Sequence, residues 1–99
     1  MRRGTTPENI FETDIDLTLA EAVFLTYQQK GETVLEKGIA DMTITAEAIT
    51  VELSQDDTLA FDESAQVQIQ IRARFPDGSA VASNIMNAPV GRILKEGVI

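Results

Sequence analysis

Residues 67–79 read VQIQIRARFPDGS, and this stretch decides the fold. Val67, Ile69, Ile71, Ala73 and Phe75 are apolar, whereas Gln68, Gln70, Arg72 and Arg74 between them are polar. Side chains alternate across a strand, so a period of two turns one face to a core and the other to water. Pro76-Asp77-Gly78-Ser79 then reverses the chain with residues suited to a tight turn. The pattern predicts an antiparallel hairpin whose second strand begins at Ala80.

Working outward, residues 22–29 carry apolar side chains on both faces, as a central strand does. Lys30-Gly31 is a two-residue hairpin turn, and residues 33–37 return antiparallel. Residues 38–41 break the run. Strands over 42–45 and 49–53 follow, the latter with Ile49, Val51 and Leu53 on one face. Upstream, residues 9–14 form a first edge strand, with Pro7 at its start where a missing N–H is tolerated. Thr18 and Glu21 have capping-box spacing, which predicts one helical turn before the central strand. Ser54 with Asp57 predicts a helix over 55–59, turning Leu59 and Phe61 to the core. Residues 80–90 form the last strand, apolar at Ala82, Met86, Ala88 and Val90, with Asn84 out of pattern and Pro89 implying an edge.

About seven short strands at hairpin spacing, joined by brief helical turns, make an all-β, immunoglobulin-like antiparallel β-sandwich. The 99 residues form one domain, with residues 1–7 and 91–99 as terminal arms. The expected core is Val23, Leu25, Tyr27, Val34, Ile44, Val51, Leu53, Leu59, Phe61, Val67, Ile69, Ile71, Phe75 and Met86.

Composition narrows the chemistry. The chain has no Cys, His or Trp, which removes disulfides, thiolate metal sites and the usual imidazole base or nucleophile partner. Of 16 acidic residues, all but Glu96 lie between positions 4 and 90, against Lys30, Lys37, Arg72 and Arg74 alone. An acidic body repels phosphate backbones and anionic lipid, so neither nucleic acid nor membrane is expected as a partner. Met1-Arg2-Arg3 precedes no apolar segment of signal-peptide length, and the expectation is folding in a cytoplasm.

Carboxylates are the remaining candidates for chemistry: Asp14 with Asp16, Asp56 with Asp57, and Asp62 with Glu63. A glycosidase needs two about 5–10 Å apart in a cleft, which short loops do not build. Asp14, Asp16, Asp62 and Glu63 are calcium-type oxygen ligands, without EF-hand spacing. The plainer reading gives Asp16 and Asp56 to turns and helix starts. No catalytic residue, cofactor or metal site is therefore expected. Candidate partner contacts are Arg72 and Arg74 on the solvent face of the long strand, together with Arg2, Arg3, Arg92, Ile93, Leu94, Val98 and Ile99 in the arms. Arg72 and Arg74 have cross-strand acids as their alternative partners, and the apolar end of the chain docks on its own sheet, docks on a neighbour, or frays.

Several pieces together resemble small proteins encoded in tail modules of bacteriophages and prophages of Gram-positive bacteria. They are MRRGTTP at the start, residues 22–31, TVLEK at 33–37, SQDDTL at 54–59, VQIQIRAR at 67–74 with Asp77-Gly78, and VGRILKEGVI at 90–99. A fainter likeness extends to the N-terminal immunoglobulin-like domain of phage baseplate upper proteins, which attaches receptor-binding parts to the tail. The resemblance implies a non-enzymatic structural module of the virion tail or baseplate. Its partners would be other tail proteins, or further copies of itself as a homo-oligomer. The chain stops where a baseplate protein continues into an oligomerisation stalk, which favours an adaptor role over receptor binding. Rival readings are a carbohydrate-binding sandwich for host cell-wall glycan and a small cytoplasmic prophage regulator.

Overall fold

The computed structural model describes residues 1–99. Eight strands follow in order: β1 (Glu8–Glu12), β2 (Ala22–Gln29), β3 (Glu32–Gly38), β4 (Met42–Ile44), β5 (Ala48–Glu52), β6 (Val67–Arg74), β7 (Ala80–Ala82) and β8 (Met86–Ala88). A 3-10 turn at Ile39–Asp41 precedes β4, and the helix α1 (Gln55–Leu59) joins β5 to β6. One sheet has the order β1-β5-β4, and the other β3-β2-β6-β7, with β8 also pairing β6. All strand pairs are antiparallel. This is the B-E-D and C′-C-F-G arrangement of an immunoglobulin-type sandwich. The chain changes sheets from β3 to β4 through the 3-10 turn, which supplies the corner.

Alternation builds the core as the sequence implies. Val67, Ile69, Ile71 and Ala73 of β6 are buried, as are Val23, Leu25 and Tyr27 of β2 opposite them. Ile49, Val51 and Leu53 close the layer from the other sheet with Phe61. Tyr27 lies on β2, the strand-C counterpart in this order, which in antibody domains carries a buried Trp. Its ring lies 5.8 Å from Phe61, tilted by 42°, and its hydroxyl accepts a hydrogen bond from Asn9 Nδ2 at 3.0 Å. Burial pushes the phenol up to about 12, against the lowering effect of the Asn9 bond.

The β2–β3 hairpin has Lys30 at φ 53 and Gly31 at φ 79, a pair of positive values that matches strand twist in a two-residue loop. At α1, Ser54 Oγ accepts from Asp57 N at 3.0 Å while Asp57 Oδ2 accepts from Ser54 N at 2.9 Å, closing the capping box. Lys37 reaches the same carboxylate at 3.0 Å. Burial alone raises the Asp57 carboxyl, but the Ser54 N–H and Lys37 outweigh it and hold the group low.

Four expectations are corrected. Residues 16–21 form a single hydrogen-bonded turn, Ala20 N to Leu17 O at 3.1 Å, and no helix capped by Thr18, because Asp16 Oδ1 accepts from both Thr18 N (2.9 Å) and Thr18 Oγ1 (2.6 Å). This local bend competes with the capping box, and it drives Leu17 into the core at 3 % exposure. Residues 80–90 are not one strand: Ser83 N donates to Ile71 O, and Ser83 Oγ accepts from Ile71 N at 3.0 Å, so a side chain replaces the ladder between β7 and β8. The interruption shifts the register, so Val81 opposite Ala73 turns inward and Ala82 is exposed. In α1 the fully buried residue is Thr58, with Leu59 half-buried. Val34, Ile44, Phe75 and Met86 are partly buried at the margins, while Ile49 and Ala73 belong to the core.

Candidate functional site

The two sheets end side by side along one flank. There β1 pairs with β5 alone, and β7 with β8 forms the interrupted edge of the larger sheet. An immunoglobulin sandwich of the constant type places a further strand beside B; here the outer edge of β1 is unpaired. The bonds Thr13 N to Glu47 O and Leu53 N to Pro7 O bracket the β1–β5 ladder. They put the odd residues of β1 in hydrogen-bonded pairs, since antiparallel pairs alternate. The N–H and C=O groups of Glu8, Ile10 and Glu12 therefore face outward. Their side chains are exposed as well, Ile10 by 61 %.

Where this edge ends at Glu12, a groove of about 470 Å³ opens between the loop at 13–17 and residues 81–86. Ile15, Leu17, Ile71, Val81 and Met86 give it an apolar floor, and Glu12 and Asp14 make its rim acidic. Thr13 also lines it, and its buried Oγ1 is the one buried side-chain oxygen without a hydrogen-bond partner. Tight Asp16 bonding sets the loop that feeds Leu17 into the floor, and the Ser83 interruption opens the opposite wall.

The terminal arms meet at the α1 end. Arg2 bridges Gly91 in parallel, with Arg3 N donating to Gly91 O (3.0 Å) and Gly91 N to Met1 O (2.7 Å). Arg3, 16 % exposed, donates to Phe61 O (2.8 Å), Leu59 O (3.1 Å) and Glu96 Oε1 (2.8 Å). Arg2 Nη1 donates to Arg92 O, and Gln55 exchanges two hydrogen bonds with the Ile99 backbone. Ile93 packs beside Gly4. Polar contacts thus tether the arm, yet Leu94 is 89 % exposed, Val98 59 % and Ile99 85 %.

The other candidate residues are dispersed. Arg74 Nε donates to Glu21 Oε1 at 2.7 Å, an exposed cross-strand pair. Arg72 forms no ion pair and stands on the outer sheet face between Phe24 and Ala82. Asp14 and Asp16 precede the start of β2, whereas Asp62 sits beside its end, 3.0 Å from Lys30. The acidic pairs are therefore separated by the length of a strand, and no group of three or more acidic side chains gathers to hold a metal ion. The Ser64 backbone N–H and hydroxyl, with Lys30, hold the Asp62 carboxyl well below the usual range. Asp16 is lowered by the Thr18 hydroxyl and N–H, and Asp77 by the same groups of Ser79. Each of these three shifts traces to a turn, which is the structural role read for Asp16.

Sequence reasoning missed the edge residues Glu8, Ile10 and Glu12. The available signal was Ile10, an apolar residue in phase with two acids rather than with Phe11. No helix is long and apolar enough to cross a membrane. The flank defines an immunoglobulin-type sandwich with an open edge and a tethered apolar arm. No protein-family model, curated protein or solved structure matches the chain.

Proposed function

We propose that the chain is a non-enzymatic docking module of a bacteriophage or prophage, associated with the tail or baseplate. The observation that carries the docking part is the arm at 91–99. It is held by Arg2 and Gln55 at its backbone and by Arg3 at the Glu96 carboxylate, while Leu94, Val98 and Ile99 stand in water. Apolar side chains on a tethered segment stabilise an assembly when a partner covers them and cost solvation when none does. The phage setting rests on the family resemblance of the sequence. A glycan site of the usual kind stacks sugars on aromatic platforms, and Phe24 is the one exposed aromatic ring here.

Mass spectrometry of purified phage particles tests the proposal. Peptides of this chain should be present in virions at a fixed ratio to other tail proteins. Absence from virions, with abundance in the cytoplasm of infected cells, overturns the structural role and favours a regulator.

A further inference from the structure

We infer that the open edge of β1 and its groove accept residues 92–96 of a second copy of this chain, added as an extended strand. The inference rests on the docking reading but not on the phage setting.

Two features of the edge specify an extended occupant. The N–H and C=O groups of Glu8, Ile10 and Glu12 are arrayed outward with no strand beside them, which is the template for β-augmentation. The groove next to it is apolar in its floor, so side chains of one parity from an added strand would enter it.

Charge selects the occupant. Glu8, Glu12 and Asp14 surround the edge, and the span from residue 4 to 90 is strongly acidic throughout. The arm is the part of the chain that pairs opposite charge with apolar bulk: Arg92-Ile93-Leu94-Lys95. Adjacent residues of a strand point to opposite faces. One of Ile93 and Leu94 therefore meets Ile10 on the outer face, and the other enters the groove. Arg92 and Lys95 then stand near the acids.

The arm's contacts with its own body are the bonds to Arg2, Arg3 and Gln55 and the packing of half-buried Ile93 beside Gly4, and an added strand on a second copy replaces them. The arm leaves at the α1 end, while the groove is lined by the loop feeding the start of β2. Donor and acceptor are thus different surfaces, and the contact is heterologous, propagating head to tail.

The test uses full-length chains in light-scattering chromatography. Wild-type protein should show a concentration-dependent mass above the 10.8 kDa monomer. Leu94→Asp spoils the arm at an exposed position, and Ile10→Pro removes an outward N–H that the isolated fold does not use. Each variant alone should stay monomeric, at least ten-fold weaker in association. Mixed in equal amounts they should recover a dimer and nothing larger, because one supplies the intact edge and the other the intact arm. Glu12→Lys replaces Ile10→Pro if circular dichroism shows that the proline variant is unfolded. A wild-type monomer at millimolar concentration, or no recovery on mixing two folded variants, overturns the inference. Detection in virions would stand unaffected by either failure.

Discussion

Gln29 offers the sharpest energetic test of how the sandwich is closed. It is 5 % exposed, at the end of β2 in the inward register of Val23, Leu25 and Tyr27. Its Nε2 donates to Asp62 O (2.7 Å) and Ala65 O (2.9 Å), and its Oε1 accepts from Asp62 N (2.8 Å). One side chain thus binds the segment between α1 and β6 to the central strand. Gln29→Met keeps the length and approximate volume but makes none of these bonds. At about 1 kcal/mol net for each bond, with some water reaching the freed backbone groups, the loss is about 3 kcal/mol. For a domain of this size that lowers Tm by roughly 12–24 °C. The assay is urea unfolding followed by Tyr27 fluorescence and far-ultraviolet circular dichroism. Tyr27 is the single tyrosine and no tryptophan obscures it. Coincident transitions establish two-state behaviour, and the midpoint should fall with an unchanged slope. A loss below about 0.5 kcal/mol, the range of an ordinary surface substitution, would refute the closure argument.

Three further outcomes follow from the same contacts. Thr58→Val removes the bond that Thr58 Oγ1 accepts from Thr5 N (3.1 Å) and the one it donates to Thr5 O (2.8 Å). It should cost about 1–2 kcal/mol in urea unfolding and free the N-terminal arm to limited proteolysis. Gly4→Ala combines a positive φ with a Cβ 2.9 Å from Ile93 Cδ1, so the arm at 91–99 should shift, seen as backbone amide chemical-shift changes beyond residue 91. The Tyr27 phenol, raised by burial to about 12, ties stability to alkaline pH. The folded state holds this proton more tightly than the unfolded state, whose value is about 10. Its contribution is therefore complete below pH ~10 and is lost as pH rises toward about 12. Absorbance at the phenolate band should stay low in native protein at pH ~10.5 and appear with unfolding.

The sheet-forming parts of this fold were legible because they are decided by neighbours in sequence. The alternation of residues 67–75, the Lys30-Gly31 turn and the Ser54–Asp57 box are local patterns, and the structure carries all three. Residues 16–21 and 83–85 were not legible for a related reason. There a short polar side chain, Asp16 or Ser83, takes over a backbone bond, and two competing local patterns have similar energies. Gln29 left a trace as a polar residue in an inward register. Arg3 left none, since the carbonyls it binds are 56 and 58 residues away. The sequence places it among the partner contacts, whereas its guanidinium is occupied by Phe61, Leu59 and Glu96 within the chain. The open edge required knowing which strands stop pairing, and that is a property of the assembled sheets.

Hydrogen exchange of the β1 amides tests the docking account most directly. In dilute monomer, Ile10 N–H should exchange quickly while Asn9 and Phe11, bonded to β5, exchange slowly. At concentrations where the mass rises, Ile10 should slow by at least ten-fold as the added strand accepts its bond. Protection of Ile10 equal to Phe11 in the monomer, or fast exchange at Ile10 in the assembled state, would contradict the account.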